Sequence, residues 1–472
     1  MRRLRSAKIV STLGPSSDTE MVIRSLFETG VDIFRLNFSH GTHKEHKNRI
    51  DIIRNLERDY NHPVGIIADL QGPKIRVSKF KNNKILLVEG SKFILDSEKN
   101  ILGDSSRVSI SNPEIYPSLN IGTELLLDDE MLKLIVKKKS DNKLETVVLV
   151  GGYLSSNKGL NIPNTELPMS ALTEKDLADI KFISTMEIDW VALSFVQRPQ
   201  DIVEARQLIG DRVGILTKLE KPLAIKYLKE IITLSDAIMV ARGDLGVEAP
   251  PEDVPGLQKK IIQSARIEGK PVIVATQMLE SMISSPTPTR AEASDVATAV
   301  FDGADAVMLS AETAAGDYPI ETVAIMNRII MSVENDDHYK SVQNVEFVRT
   351  HVTDADAITV AAKQVAHTID ACAIVTFTKT GSTTLRAARE RPDVPILGLT
   401  PDLRIARQML LLWGVHPAQT SYFEDFPDVV ESAIKVARQS EFAKKGDSLV
   451  ITAGVPFGTP GATNVLRIVK VT

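Results

Sequence analysis

The chain contains 472 residues, of which 43% are hydrophobic and 25% are charged, and its formal net charge is −5. This length predicts about two to four globular domains, while the negative charge argues against binding to nucleic acid or to an anionic membrane. The single cysteine, Cys372, excludes an internal disulfide, and no run of about 18 apolar residues predicts a membrane span. We therefore expect a cytoplasmic protein.

Eight short apolar runs, each ending in polar residues, predict the strands of one parallel sheet. They lack clean alternation, which is typical of strands buried on both faces, and most are separated by one helical segment. Eight such units indicate a closed (β/α)8 barrel, the TIM barrel. The runs are KIVST from Lys8, DIFRLNFS from Asp32, VGIIAD from Val64, DWVALSF from Asp189, GILTKLE from Gly214, AIMVARGD from Ala237, PVIVATQ from Pro271 and AVMLSAE from Ala306.

A long insertion interrupts the barrel pattern after the third run. About 125 residues lie between the starts of the runs at Val64 and Asp189, which is about 95 more than a normal crossover needs. Short strand patterns separated by turns fill this stretch, so we interpret residues 73–168 as an antiparallel β-barrel lid domain. An insertion in a βα loop belongs at the catalytic face. The barrel would then comprise residues 1–72 and 169–341.

Residues 342–472 alternate helix and strand patterns and predict a C-terminal open-sheet α/β domain with a mostly parallel sheet. Cys372, in the apolar run ACAIVTF, is interpreted as a core residue. The segment TKTGSTT places hydroxyls, a lysine and a glycine at a helix N-terminus, which suits an effector phosphate, although an ordinary N-cap cluster explains it nearly as well. The residues concerned are Thr378, Lys379, Thr380, Gly381, Ser382 and Thr383.

Charged side chains follow two neighbouring barrel strands, where barrels of this type carry their sites. Glu220 and Asp244 can share a hard cation such as Mg²⁺, although two solvated acids at the barrel rim are the ordinary alternative. Lys218 lies two residues before Glu220 and therefore points to the same side. A lysine there can neutralise a transferring phosphoryl group or an enolate, whereas its ordinary role is an ion pair.

Arg35, in the second strand, can hold a phosphate in a fixed geometry, and its alternative is a core arginine paired with a carboxylate. Gly243 and Gly246 surround Asp244 in the string ARGDLGVE. Glycine lets the backbone approach a ligand, and consecutive amides form an anion nest that suits a carboxylate. A plain tight turn also explains this string.

Further polar residues at other strand ends complete the predicted site. Thr276 has no ionised group, so it can relay a proton only through water or through partners such as Ser310 and Glu312. The second and third strands end in Asn37, Ser39 and Asp69.

Several longer strings occur in a fixed order along the chain: KIVSTLGPSS, FRLNFSHG, GPKIR, NKGLNIP, LTKLE, MVARGDLGVE, ATQMLESM, PTRAEASDVA and DGADAVMLSAETAAG. Together these strings resemble the pyruvate kinase family and follow the family's order. The resemblance is strong over the barrel and the lid and looser over the last domain. It implies the last step of glycolysis, in which phosphoenolpyruvate and ADP give pyruvate and ATP with Mg²⁺ or Mn²⁺, and it suggests a homotetramer.

The resemblance implies a role for each residue that matches its motifs. Arg35 and Lys218 would contact the transferring phosphoryl group. The backbone of Gly243 and Asp244 would meet the substrate carboxylate. Thr276 would sit where the enolate carbon takes its proton, so Arg35, Lys218 and Thr276 are the expected catalytic residues.

Metal and nucleotide roles are implied in the same way. Glu220 and Asp244 would hold Mg²⁺. Arg76 and Lys158 would flank the nucleotide phosphates, Lys158 from the lid, with His40 nearby.

The third-strand motif departs from the family's familiar form, DTKGPEIR, and reads DLQGPKIR, with Leu70, Gln71 and Lys74 at the changed positions. Familiar members bind K⁺ near the positions that correspond to Asn37, Ser39 and Asp69. A tethered ammonium at Lys74 would repel K⁺ and take over its electrostatic role. We therefore predict K⁺-independent activity.

The resemblance also bears on regulation and on the alternatives. The distal loop AGVPFGTPGATN, from Ala453, lacks the arginine that binds the second phosphate of fructose 1,6-bisphosphate in some members. A sugar-monophosphate effector, or none, is therefore expected. Two other functions stay open: a barrel lyase acting on pyruvate enolate through Mg²⁺, and a non-catalytic sensor of sugar phosphate.

Overall fold

The computed structural model describes residues 2–343, 352–423, 425–455 and 463–472. Its largest unit is a closed barrel of eight parallel strands, which confirms the predicted (β/α)8 barrel. Each predicted apolar run contains one of these strands. Numbered along the whole chain, they are β1 (Lys8–Leu13), β2 (Ile33–Asn37), β3 (Gly65–Asp69), β12 (Trp190–Leu193), β13 (Gly214–Leu219), β14 (Ala237–Ala241), β15 (Val272–Ala275) and β16 (Ala306–Leu309).

Helices surround the barrel, and several begin at a threonine that caps the first turn. Thr42, Thr173 and Thr289 each accept a backbone N–H and pair with an acidic residue three positions later. The helices of this part are α1 (Glu20–Thr29), α2 (His43–Tyr60), α3 (Glu174–Ile183), α4 (Pro199–Ile209), α5 (Pro222–Lys226), α6 (Leu228–Leu234), α7 (Arg242–Glu248), α8 (Val254–Glu268), α9 (Arg290–Phe301), α10 (Ala311–Ala314), α11 (Pro319–Glu334), α12 (Asp337–Gln343) and the 3₁₀ turn Glu280–Ile283. No helix among the described residues is both long and apolar enough to cross a bilayer.

The inserted unit is built of short, mostly antiparallel strands, as predicted. Six of them form one sheet in the order β11, β7, β8, β9, β5 and β6, and β4 pairs with β10 as a separate ribbon. The pairing of β5 with β6 is parallel. The elements are β4 (Lys84–Leu87), β5 (Lys92–Asp96), β6 (Arg107–Ser109), β7 (Glu124–Leu127), β8 (Leu132–Ser140), β9 (Lys143–Val150), β10 (Gly152–Ser155), β11 (Leu160–Asn161) and the 3₁₀ helix Pro113–Ser118.

The C-terminal unit is an open five-stranded sheet, and its four parallel strands with one antiparallel edge strand confirm the predicted α/β domain. Half-buried Cys372 packs against its core. Residues 344–351, just after the predicted domain boundary, and residues 456–462 of the distal loop lie outside the described residues. The elements are α13 (Asp354–Thr368), β17 (Ala373–Phe377), α14 (Ser382–Arg389), β18 (Ile396–Thr400), α15 (Leu403–Met409), β19 (Val415–Gln419), α16 (Phe426–Gln439), β20 (Ser448–Gly454) and β21 (Thr463–Lys470).

The C-terminal unit closes one end of the barrel. Leu410 and Leu411, which follow α15, belong to the same buried cluster as the side chains that fill the barrel interior. The neighbouring Gln408 donates to the carbonyl of Asp189, just before β12. The closed end is therefore the end at which the strands begin, and the opposite end is free to carry a site.

Candidate functional site

Buried Lys218, near the end of β13, forms the centre of the candidate site. Its Nζ lies 2.7 Å from Glu220 Oε1 and 3.4 Å from Asp69 Oδ1. It also donates a 2.8 Å hydrogen bond to Ser194 Oγ. Three neighbouring strands thus place polar groups around one ammonium, because Asp69 ends β3 and Ser194 directly follows β12.

The charges of this cluster stabilise each other. Burial acts to lower the pKa of the Lys218 ammonium, but the carboxylates of Asp69 and Glu220 outweigh it and raise that pKa. Burial acts to raise the pKa of the Asp69 carboxyl, but the positive charges of Lys218 and Arg35 outweigh it and hold that pKa below its usual range. Lys218 therefore carries a permanent positive charge at neutral pH.

Arg35 approaches the same carboxylate from β2. Its Nε donates to Asp69 Oδ2 at 2.6 Å, and its Nη1 donates to Thr12 Oγ1 at 3.0 Å. Asp69 therefore joins two cationic side chains, and the predicted residues Arg35 and Lys218 lie in one cluster. Sequence reasoning missed Thr12 and Ser194, although both occur in the apolar runs that predicted β1 and β12.

Glu220 and Asp244 have the properties of a cation site. Burial raises the pKa of the Glu220 carboxyl to about 7 against the opposing charge of Lys218, and the charge of Asp244 adds to the rise. Glu220 Oε2 accepts from Phe195 N at 2.7 Å, and Oε1 faces the Lys218 ammonium at 2.7 Å. Two carboxylates at the ends of neighbouring strands suit a hard divalent cation.

The described residues contain no cluster of three or more acidic, histidine or cysteine side chains placed to hold a metal. Two protein carboxylates are nevertheless sufficient for Mg²⁺, which keeps several waters and accepts substrate oxygens. The donor set therefore fits a divalent cation whose remaining positions face a substrate.

The loop after β14 and the loop after β15 meet at Thr276. Gly243 N donates to Thr276 Oγ1 at 2.7 Å, and that hydroxyl donates to the Ala275 carbonyl at 2.7 Å. Arg242 donates to the Thr276 carbonyl at 2.7 Å. Thr276 has a φ of 69°, which is uncommon for a threonine and places it among the strained residues found at functional sites.

The structure places Glu312 beneath the loop that follows Thr276. Glu312 accepts from Ser310 N at 2.6 Å and from Leu279 N at 3.3 Å, and burial raises the pKa of its carboxyl. Thr276 Oγ1 itself is bonded to the backbone of Gly243 and Ala275. The predicted proton relay through Ser310 and Glu312 stays a prediction.

Lys74 points into a cleft of about 640 Å³ between the barrel and the inserted unit. Its Nζ lies 3.8 Å from Asp244 Oδ1, and within the described ranges it forms no ion pair with Asp69. Asn37 Oδ1 accepts from Ser39 N at 3.0 Å. The structure thus brings Lys74 to the carboxylate of the candidate metal site.

Two of the predicted nucleotide residues, Arg76 and Lys158, belong to the inserted unit. Lys158 Nζ pairs with Asp128 Oδ1 at 2.7 Å within the inserted unit, and Arg76 donates to the Asn157 carbonyl at 3.0 Å. His40 is exposed in the loop after β2. Both cations remain partly exposed and can exchange these partners for phosphate oxygens.

The predicted effector loop leads from β17 into α14. Thr378 Oγ1 accepts from Gly381 N at 2.9 Å, and Thr383 shares a 2.7 Å hydrogen bond with Thr463. Thr380 donates to Ser382 Oγ at 3.2 Å. Lys379 is exposed and has no ionic or hydrogen-bond partner among the described residues.

Comparisons with known proteins cover nearly the whole chain. Residues 4–323 match the family model "pyruvate kinase, barrel domain", and residues 356–469 match "pyruvate kinase, alpha/beta domain". A pyruvate kinase of Methylorubrum extorquens is 49% identical over 100% of this chain and 98% of its own length. Pyruvate kinase 2 of Synechocystis is 45% identical over 98% of this chain and 79% of its own length. A crystal structure of a pyruvate kinase from Cryptosporidium parvum matches with a TM-score of 0.92 at 32% identity, covering 99% of this chain and 96% of that one.

Proposed function

The chain belongs to the pyruvate kinase family of phosphotransferases, and we propose that it transfers the phosphoryl group of phosphoenolpyruvate to ADP with Mg²⁺ or Mn²⁺ and without K⁺. The observation that supports this most is the pair of cations, Lys218 and Arg35, that Asp69 joins at the open end of the barrel. Phosphoryl transfer depends mainly on positioning and on neutralising the charge of the phosphoryl oxygens.

In the proposed reaction, Arg35 and Lys218 hold the phosphoryl group. Arg35 uses Nε and Nη1 for Asp69 and Thr12, and Nη2 has no partner among the described residues, so it can bind a phosphoryl oxygen. Lys218 is held by side chains on three sides, which limits its loss of side-chain entropy when it meets the substrate. Ser194 contributes to this by accepting a hydrogen bond from one N–H of the ammonium.

Glu220 and Asp244 would hold the divalent cation, which supplies Lewis-acid neutralisation of the phosphoryl and enolate oxygens. The Lys74–Asp244 contact is long and partly exposed, so it opposes cation binding only weakly. Burial raises the pKa of the Glu220 carboxyl to about 7 when no cation is present. Occupation by a cation would therefore favour the ionised carboxylate.

Gly243 would act first, by binding the substrate carboxylate, and Thr276 would act afterwards, in proton delivery. A substrate carboxylate that binds the Gly243 amide must replace Thr276 Oγ1, which now accepts the hydrogen bond from that amide. The replacement frees the hydroxyl to take part in proton delivery to the enolate carbon. Substrate binding would thus prepare the second half of the reaction.

K⁺ independence rests on the fixed charge of Lys74, which lies in the same cleft as Asp244. With tetramethylammonium as the only monovalent cation, we expect a rate within about twofold of that in K⁺. Lys74→Glu should create a K⁺ requirement, whereas Lys79→Glu, at an exposed position in the inserted unit, should not. A collapse of the wild-type rate in tetramethylammonium that K⁺ restores would refute this proposal.

The formation of ATP from ADP and phosphoenolpyruvate separates the proposed reaction from the alternatives. A lyase acting on pyruvate enolate would form no ATP, and a non-catalytic sensor would turn over neither substrate. We expect ATP formation that stops when EDTA removes the divalent cation and that Lys218→Met abolishes. Retained ATP formation in this variant would show that the centre is misassigned.

A further inference from the structure

Two chain segments connect the inserted unit to the barrel, and they pair with each other as a short antiparallel ribbon of residues 74–77 and 158–161. Arg76 pairs with Gly159 through a backbone bridge. The amide of the residue after Arg76 donates to the Lys158 carbonyl at 2.9 Å. Both cations that are predicted to flank the nucleotide phosphates, Arg76 and Lys158, therefore lie on this ribbon, and its placement decides where they point.

Asn161, at the end of the ribbon, is bonded to the barrel. Its Nδ2 donates to Glu248 Oε1 at 3.1 Å, and both side chains are buried. Glu248 is the last residue of α7, the short helix that also contains Gly243 and Asp244. One buried hydrogen bond thus connects the ribbon with the helix that carries a ligand of the candidate metal site.

Buried Lys221 holds the Glu248 carboxylate in place for this bond. Its Nζ donates to Glu248 Oε1 at 2.9 Å and to Oε2 at 3.2 Å. A buried carboxylate that loses its counter-charge is costly, so the carboxylate stays where Lys221 is. Lys221 directly follows Glu220 in the chain. The acceptor of the Asn161 bond is therefore fixed relative to both carboxylates, Glu220 and Asp244, of the candidate metal site.

Each strand of the ribbon contacts one carboxylate of α7. Asp244 and Glu248 lie one helical turn apart and face the same side. Lys74, on the first strand, lies 3.8 Å from Asp244 in a partly exposed contact, whereas Asn161, on the second strand, makes a shorter and buried one. A cation bound at Asp244 would displace Lys74 and leave the Asn161 bond intact. The latter can therefore hold the ribbon through the reaction.

Two other side chains fix the points where the inserted unit leaves the barrel and returns to it. Asp176 Oδ1 accepts from Gln71 N at 3.0 Å, and Gln197 Oε1 accepts from Leu167 N at 3.1 Å. Two attachment points define an axis about which the unit can tilt. The Asn161 bond is a third attachment, located on the ribbon itself, and it limits that tilt.

We propose that Asn161 and Glu248 are positioning residues for the nucleotide, because their hydrogen bond sets the place of Arg76 and Lys158 relative to the cation site. The inference rests on the proposed function, which assigns ADP to this cleft. Loss of the bond should weaken ADP and spare phosphoenolpyruvate, since barrel side chains alone would hold the phosphoryl group of the latter. A contact that only stabilised the fold would affect both substrates equally.

Asn161→Leu tests the bond, because leucine has a similar size, lacks the donor and leaves the pair of Lys221 and Glu248 intact. We expect the Kd for ADP with Mg²⁺, measured by calorimetry on the full chain, and the KM for ADP to rise about tenfold. The KM for phosphoenolpyruvate should stay within about twofold of the wild type. Asn120→Leu, at an exposed position in the inserted unit, is the control and should change neither. An unchanged affinity for ADP, or an equal rise in both KM values, would overturn the proposal.

Two double variants separate the hydrogen bond from the charges. Lys221→Met/Glu248→Gln removes both charges and keeps an amide oxygen that can accept from Asn161, so it should bind ADP nearly as the wild type does. Lys221→Met/Glu248→Leu removes the acceptor and should reproduce the loss seen in Asn161→Leu, and addition of Asn161→Leu to it should cause no further loss. A further loss, or equal ADP affinities of the two double variants, would overturn the assignment. Absence of ATP formation by the wild type would refute the proposed function, whereas the calorimetric comparison needs no turnover and still tests the positioning.

Discussion

Replacement of Glu220 by glutamine tests the idea that the barrel keeps a carboxyl whose negative charge is costly to the folded protein unless a divalent cation is bound. Without a cation, burial raises the pKa of Glu220 to about 7 from an ordinary 4.5, and the neighbouring Asp244 adds to the rise. Glutamine has nearly the same shape and no charge. We therefore expect Glu220→Gln to stabilise the metal-free protein at alkaline pH while it reduces activity.

The sign and the size follow from the two pKa values. Below pH 4.5 the carboxyl is protonated in the folded and the unfolded protein, so no penalty exists. Between pH 4.5 and 7 the folded protein retains a proton that the unfolded chain has lost, and its stability falls as the pH rises. Above pH 7 the raised pKa lowers the free energy of unfolding by its full amount, about 3 kcal/mol. At pH 5.5 it lowers the free energy of unfolding by about 1 kcal/mol.

Apparent melting temperatures in EDTA, measured from pH 5.5 to 8.5, provide the assay. For a domain of this size, about 3 kcal/mol corresponds to several degrees, so the variant should melt progressively higher than the wild type as the pH rises. Glu252→Gln, in an exposed loop, is the matched control and should show no such trend. Addition of Mg²⁺ at pH 8 should raise the melting temperature of the wild type and leave that of Glu220→Gln nearly unchanged. A variant that melts below the wild type at pH 8 in EDTA would refute the reasoning.

Three further substitutions test individual contacts of the site. Ser194→Ala removes the 2.8 Å hydrogen bond to Lys218 and should lower kcat by about tenfold with little change in the KM for ADP; an unchanged kcat would show that the other partners suffice to orient the lysine. Lys158→Met, which also leaves Asp128 unpaired, should raise the KM for ADP by about tenfold or more and spare the KM for phosphoenolpyruvate, and the opposite pattern would contradict its nucleotide role. Thr276→Val keeps the side-chain shape and should lower kcat by about a hundredfold; a rate near that of the wild type, measured as pyruvate formed, would exclude the hydroxyl from proton delivery.

The barrel could be predicted from the sequence because each of its strands is recognisable from a short stretch of residues. Each apolar run is buried on both faces, and its spacing to the next run fixes a strand, a helix and a parallel neighbour. The position of the site followed from the same pattern, since the polar residues that end the strands must meet at one rim. That is why Lys218, Glu220 and Asp244 can be grouped from the sequence alone.

Contacts between distant segments could not be predicted in this way. Lys74 pairs with Asp244, and the sequence motif that drew attention to Lys74 contains no information about which carboxylate it reaches. Ser194 lies in a run that was interpreted only as a strand, so its bond to Lys218 was missed. The ion pair of Arg407 with Glu57 depends on how the C-terminal unit packs against the barrel, and local periodicity contains no information about that packing.

The closed ring of strands also constrains how the chain can be made. Strand β1 lies between β2 and β16, and its pairing with β16 joins Lys8 to Ala306. At about 5–20 residues per second, the ribosome needs on the order of 15–60 s to supply the second neighbour of β1. Leu410 and Leu411, which fill the barrel's lower end, arrive later still. For that interval the nascent barrel has two open edges and an exposed apolar interior, so its dependence on chaperones during synthesis should exceed that of a domain built from local contacts.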